Sequence, residues 1–121
     1  DYFTEGGPAF VPKNHILLEE VLRLARETEG VPVLSHPGAY FQQTTREDLI
    51  LLKSLGLQGL EVYTSYHQPE QTELYHRLAE ELDLVATAGS DFHGQIKPRV
   101  YFGLIKDGNY DMVKKLRERK G

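Results

Sequence analysis

Three times in this chain a stretch with helical apolar spacing is followed at once by a short apolar run, and this alternation restricts the fold more than any other feature. From about His15 to Glu29 the apolar positions Leu17, Val21, Leu24 and Ala25, with Leu18 and Leu22 beside them, follow the helical period, and Gly30 is placed to stop the helix. Val31 to Ser35 then reads as a short strand covered on both faces. Thr44-Thr45-Arg46-Glu47 carries a capping-box pattern in which Glu47 reaches back to the first threonine; Leu49, Leu52 and Leu55 supply the buried stripe, and Gly56 ends the helix. A second strand is expected at about Gly59 to Tyr63. Pro69 fits the first turn of a third helix, with Leu74, Leu78 and Leu82 as its inward row beside Ala79, and a third strand follows at about Leu84 to Ala88. Tyr101 to Ile105 reads as a shorter fourth strand. Asn109 is placed to cap a last helix, with Asp111 in its first turn and Lys114, Lys115, Arg117, Arg119 and Lys120 near its end, the charge order the helix dipole favours. The opening, Asp1 to Asn14, holds Gly6-Gly7-Pro8 and Pro12 without either periodicity and reads as a connecting segment.

Repeated strand and helix units predict an α/β fold with a parallel sheet and outer helices. In such folds ligands and catalytic groups gather at the C-terminal ends of the strands. Ser35-His36-Pro37-Gly38 ends the first strand, Tyr63 to His67 ends the second, and Gly89-Ser90-Asp91-Phe92-His93-Gly94 ends the third, so the candidate chemistry falls on one rim. At 121 residues the chain is one domain at most. Its 14 basic and 18 acidic residues leave a net charge of −4, which argues against a broad sequence-independent grip on nucleic acid but leaves room for one nucleotide or a strand end. The basic C-terminus accordingly reads as a solvated helix end. No cysteine is present, so any metal must be held by His, Asp or Glu. No apolar run is long enough to span a bilayer and no secretory signal is visible, so the expectation is a soluble cytoplasmic protein.

Asp91 and His93 are the expected catalytic and metal-binding pair. In an extended segment, residues i and i+2 point the same way, which would offer an oxygen and a nitrogen to one ion or to two neighbours. The competing reading of Asp91 is a cap or turn residue. His36 occupies the matching place after the first strand, and Pro37 is expected to hold it in extended backbone angles; alternatively it hydrogen-bonds a turn. Glu61, inside an otherwise apolar strand, needs a partner if buried, either a ligand histidine that it orients from behind or a salt bridge. His67, Lys97 and Arg99 are candidate substrate-binding residues: Arg offers a bidentate fork to phosphate and Lys a point charge. Tyr40 and Phe41 could stack a base or pack over the rim. His15 and His76 read as surface residues. Phosphoester hydrolysis asks for a metal-activated water and for positive charge on the phosphoryl oxygens, and imidazole and carboxylate ligands suit Mn, Zn or Fe.

Taken together, Ser35-His36-Pro37-Gly38, Gly59-Leu60-Glu61-Val62-Tyr63 and Gly89-Ser90-Asp91-Phe92-His93-Gly94 with Lys97-Pro98 beyond resemble the C-terminal portion of the PHP (polymerase and histidinol phosphatase) domain, and within it the TrpH-like metal-dependent phosphoesterases. Gly7-Pro8-Ala9-Phe10-Val11-Pro12 is similar to the segment that precedes this portion. The resemblance implies part of a distorted seven-stranded (β/α) barrel, divalent metal ions at the strand ends, and hydrolysis of phosphate esters of nucleotides or short oligonucleotides. It implies His36, Asp91 and His93 as metal ligands, with Glu61, His67 and Lys97 on the rim or substrate side.

Members of the family begin with a His-x-His segment, and none occurs in this chain. The chain is therefore expected to be one portion of a barrel, weakly active alone, with an exposed sheet edge that a second copy or a missing N-terminal half would cover. Two other classes compete: a ligand- or partner-binding module without activity, and an amidohydrolase-like enzyme cleaving a C–N bond.

Overall fold

The computed structural model describes residues 6–9, 16–40 and 43–120. In chain order the elements are α1 (Leu18–Glu27), β1 (Val33–Leu34), α2 (Arg46–Ser54), β2 (Gly59–Thr64), α3 (Pro69–Glu81), β3 (Val85–Gly89), a 3-10 turn at Gly94–Ile96 and α4 (Tyr110–Glu118). The strands form one sheet in the order β1-β2-β3, both pairs parallel, with Val33 beside Gly59 and Gly59 beside Val85. This is the predicted α/β arrangement with a parallel sheet.

The first three helices hand the chain to their strands by the same device. Each ends in a residue with positive φ: Glu29 at 57°, Gly56 at 116° and Asp83 at 52°. The next residue's N–H then returns to the last turn, from Gly30 to Ala25 O (2.7 Å), from Leu57 to Leu52 O (2.9 Å) and from Leu84 to Ala79 O (2.8 Å). These paired turns satisfy carbonyls that a helix end leaves open and reverse the chain toward the sheet. In α1 the left-handed residue is Glu29, one position before the glycine expected to stop it.

β2 is the centre of the core. Leu60 and Val62 are fully buried and pack with Leu22, Leu49, Leu52, Leu57, Tyr75, Leu78, Ala79 and Leu84. Glu61 and Tyr63, on the alternate face, are only half-buried. A bulge between Glu61 and Tyr63 in the pairing with β3 shifts the register just before the strand ends.

Several expectations need correction. The capping box of α2 lies one residue later than expected: Thr45 Oγ1 accepts from Asp48 N (3.1 Å) and Asp48 Oδ2 accepts from Thr45 N (2.9 Å). The inward face of α3 is Tyr75, Leu78 and Ala79, while Leu74 is 37% exposed, because the sheet meets the helix one position round from the leucine row. Tyr101 to Ile105 is not a strand. Gly103 has φ 75° and Leu104 N–H bonds back to Tyr101 O (3.1 Å), a turn that no strand accommodates. The first strand is shorter than expected, at two residues. The last helix is capped as expected, Asn109 Oδ1 accepting from Met112 N (3.2 Å), and Arg119 ties its end to Asp83. His76 is half-exposed and pairs with Glu80, as a helix-surface residue would. His15, Phe41 and most of the opening segment lie outside the described residues. Among the described residues no helix is long and apolar enough to cross a membrane.

The cap assignment is testable by substitution. Thr45→Ala should cost about 1 kcal/mol of stability in urea denaturation, whereas Thr44→Ala, whose side chain does not cap, should stay within about 0.5 kcal/mol of the wild type. The reverse order would restore the earlier register.

Candidate functional site

The loop after β1 is fixed by hydrogen bonds from β2 and α3. The hydroxyl of Tyr75, a residue with no exposed surface, donates to Pro37 O (3.2 Å) and Thr44 O (2.8 Å), and Thr44 N–H closes the loop onto Pro37 O (2.8 Å). Gly38 N–H donates to His67 Nε2 (3.0 Å), and Gln71 Nε2 donates to Gly38 O (3.1 Å). A Cβ on Gly38 would lie 2.8 Å from Gln71 Nε2 and 2.9 Å from His67 Cδ2, so a side chain there would push both groups away. Loop, strand and helix thus grip one another around a glycine.

His67 therefore has a different task from the one expected. Its Nδ1 donates to Val62 O (2.8 Å) while Nε2 accepts from Gly38, which fixes a neutral ring and leaves neither nitrogen for a substrate. Burial pushes its pKa below the ordinary histidine value, outweighing the opposing hydrogen bond to Val62 and the charge of Glu61. The ring stacks on Tyr75 at 5.0 Å between centroids. It is a clasp for the loop that carries His36.

His36 departs from expectation as well. Its φ is 29°, so Pro37 does not hold it extended; the turn is instead stabilised by His36 N–H donating to Glu61 Oε2 (2.8 Å). Glu61 thus orients the backbone of His36 rather than its ring, and among the described residues it makes no ion pair. Gly89 makes room for it, since a Cβ there would stand 2.4 Å from Glu61 Oε1.

The loop after β3 also turns where an extended segment was expected. Asp91 has φ 57°, a left-handed conformation that aspartate tolerates better than most residues, and His93 folds back so that Nδ1 lies 2.7 Å from Asp91 O and 3.5 Å from Asp91 Oδ1. Asp91 Oδ2 accepts from Tyr66 OH (2.6 Å) and is paired with the Lys97 ammonium, which also donates to Tyr66 OH. The bond from Lys97, then that from Tyr66, hold the Asp91 carboxyl at about 2, and the same contacts raise the Lys97 pKa. Tyr66 in turn is shifted up, chiefly by its bond to the carboxylate. Its ring lies 4.9 Å from that of His36 and 5.7 Å from that of Tyr40, so it joins the two loops. Sequence reasoning missed Tyr66, because nothing but its place two residues beyond β2 distinguishes it from other loop tyrosines.

His36, Asp91, His93 and Lys97 therefore share one rim at the C-terminal ends of the strands, with Tyr66 between them. As they stand they do not make a metal site: among the described residues no three His, Asp or Glu side chains gather closely enough to hold an ion. Asp91 Oδ2 is already bonded to an ammonium and a phenol, and a cation arriving there would have to displace the lysine. Arg99 lies farther out, beside Tyr40 and Tyr66 on a shallow cleft, and has no acidic partner among the described residues.

Comparison with known proteins follows the same lines. No family model matches the chain. It is 34% identical over 94 residues to the 3',5'-nucleoside bisphosphate phosphatase of Chromobacterium violaceum, an alignment covering 76% of this chain and 33% of that protein. It is 30% identical over 93 residues to the phosphoribosyl 1,2-cyclic phosphate 1,2-diphosphodiesterase of Eggerthella lenta, covering 77% of this chain and 34% of that one. Among solved structures, a candidate metal-dependent phosphoesterase from Bifidobacterium adolescentis superposes with a TM-score of 0.79 at 29% identity, covering 98% of this chain and 42% of that one. In sequence and in fold the chain resembles a PHP-like phosphoesterase domain. A Chromobacterium violaceum protein described as an amidohydrolase superposes with a TM-score of 0.70 at 26% identity, over 96% of this chain and 42% of that one. The chain spans about a third of the length of the curated relatives it matches. The PHP-like likeness thus covers the sheet and the rim described above.

Two outcomes test the grip on the first loop. Tyr75→Phe removes a buried donor from two carbonyls and should cost about 1–3 kcal/mol in urea denaturation, with faster hydrogen exchange concentrated in residues 36–44. Protonation of His67 gives a second test. Because its folded pKa is depressed, the unfolded chain takes up the proton first, so the His67 contribution is complete above about pH 6.5 and is lost as pH falls through the folded value. The stability gap between wild type and His67→Gln should therefore narrow between pH 8 and pH 5; a constant gap would mean that Nε2 is not the acceptor.

Proposed function

We propose that this chain is part of a metal-dependent phosphoesterase barrel that hydrolyses phosphate esters of nucleotides or short oligonucleotides, and that His36, Asp91 and His93 contribute to its metal centre. The observation that supports the reading is that these three residues and Lys97 lie in loops at the C-terminal ends of the strands, in a chain whose relatives include a 3',5'-nucleoside bisphosphate phosphatase and a metal-dependent phosphoesterase. A divalent ion would supply Lewis acidity and an activated water; its identity among Mn, Zn and Fe is open to experiment. The three residues would be only part of the ligand set, since no cluster of three is assembled among the described residues. Further donors must come from elsewhere in the barrel, which is the reason to expect weak turnover from this chain alone. Lys97, and Arg99 beyond it, supply positive charge for the phosphoryl oxygens.

A second reading, hydrolysis of a C–N bond, draws support from the superposition on a protein described as an amidohydrolase. We favour the phosphoesterase because the curated relatives aligned above are named for phosphate chemistry.

Calorimetric titration with manganese should give weak uptake by the wild type and at least about fivefold weaker uptake by His36→Ala and by Asp91→Ala. Unchanged uptake in both variants would remove them from the ligand set. With manganese present, slow release of phosphate from a nucleotide and none of ammonia or amine from an amide is the expected pattern; the opposite preference would favour the amidohydrolase reading.

A further inference from the structure

Beside the rim lies a cleft whose aromatic lining the hydrolytic chemistry does not use. Tyr40, Tyr66, Pro98, Val100 and the stems of Lys97 and Arg99 line a shallow cleft of about 430 Å³, large enough for a small planar ligand, and its walls are almost wholly apolar. Tyr40 is 74% exposed and has φ 64°, a backbone region that bulky residues rarely occupy. Burial does not account for its place, and strain of this kind is found where a side chain must be presented to something. The two tyrosine rings, tilted by 43° at 5.7 Å, both line the cleft.

Charge sorts the two ends. At the inner end the Lys97 ammonium is held on Asp91 and lies 5.0 Å from the Tyr66 ring centroid, so the cleft opens directly from the rim. Arg99, which lines the same cleft, has no acidic partner among the described residues. An occupant with two flat apolar faces, joined to an anionic group near the rim, matches this layout. A purely apolar peptide would not use the cations, and inorganic phosphate would not use the tyrosines.

We infer that the Tyr40–Tyr66 cleft is a subsite for the nucleobase of a mononucleotide, whose phosphate lies toward Lys97 and Arg99. The inference rests on the phosphoesterase reading and deepens it: stacking on a ring accepts any base, so the subsite would select for nucleotides over other phosphate esters without selecting strongly among bases.

The test compares adenosine monophosphate, adenosine and ribose 5-phosphate by calorimetric titration of the full chain, as wild type, Tyr40→Ala and Tyr40→Phe. The expected result is that the wild type binds the nucleotide about tenfold or more tightly than ribose 5-phosphate, that Tyr40→Ala abolishes this difference without weakening ribose 5-phosphate, and that Tyr40→Phe keeps it. Equal binding of the nucleotide and ribose 5-phosphate, or a difference that survives Tyr40→Ala, overturns the subsite and leaves the phosphoesterase reading standing. Adenosine binding as tightly as its monophosphate, and lost in Tyr40→Ala, supports the subsite while counting against a phosphate site beside it. Failure of all three ligands to bind overturns both.

Discussion

The geometry of the rim depends on one buried hydroxyl. A loop that leaves the end of a strand carries carbonyls and N–H groups that must be paired, and here the partners come from side chains rather than from a neighbouring strand. Tyr75 supplies a donor to two carbonyls of the first loop, and His67 and Gln71 supply an acceptor and a donor to the peptide groups of Gly38. Because Tyr75 lies on the inward face of α3 and is wholly buried, the position of His36 is coupled to packing between helix and sheet. The strand of the core and the loop of the site are held by the same residues.

Opposite charges organise the other half of the rim. Asp91, Lys97 and Tyr66 share a compact set of hydrogen bonds in which the lysine donates to the phenol and to the carboxylate, and the phenol donates to the carboxylate. The arrangement keeps the carboxylate ionised over the whole physiological range, since its carboxyl is held at about 2. An ionised carboxylate is what a cation needs as a ligand, and the ammonium is at the same time its competitor. Lys97 occupies Asp91 Oδ2, so any cation approaching that oxygen meets an ammonium already in place.

Two segments of the chain leave apolar groups uncovered. Leu17, Leu18, Val21 and Leu24 on and beside α1, and Phe92, Ile96, Tyr101 and Phe102 beyond β3, are all more than 40% exposed. Exposed apolar groups in that number are more than scattered surface residues need, and they mark these segments as faces that contact something else.

The sequence alone determined the order of the four helices and the first three strands, though not the absence of a strand at Tyr101 to Ile105, and it placed His36, His67, Asp91 and His93 after those strand ends. These are local matters: helical spacing, stop signals and short apolar runs are written in neighbouring residues. Even there, the cap expected between Thr44 and Glu47 forms one residue later, between Thr45 and Asp48. Tertiary structure decided what each polar side chain does. His67 became a clasp because Gly38, 29 residues away, brought an N–H to its ring. Asp91 acquired a cation because Lys97 folded back across the 3-10 turn, and Tyr66 gained its role by lying between two loops. No period in the sequence encodes such meetings, since a hydrogen bond between distant residues depends on how whole elements pack, and packing is a property of the folded core.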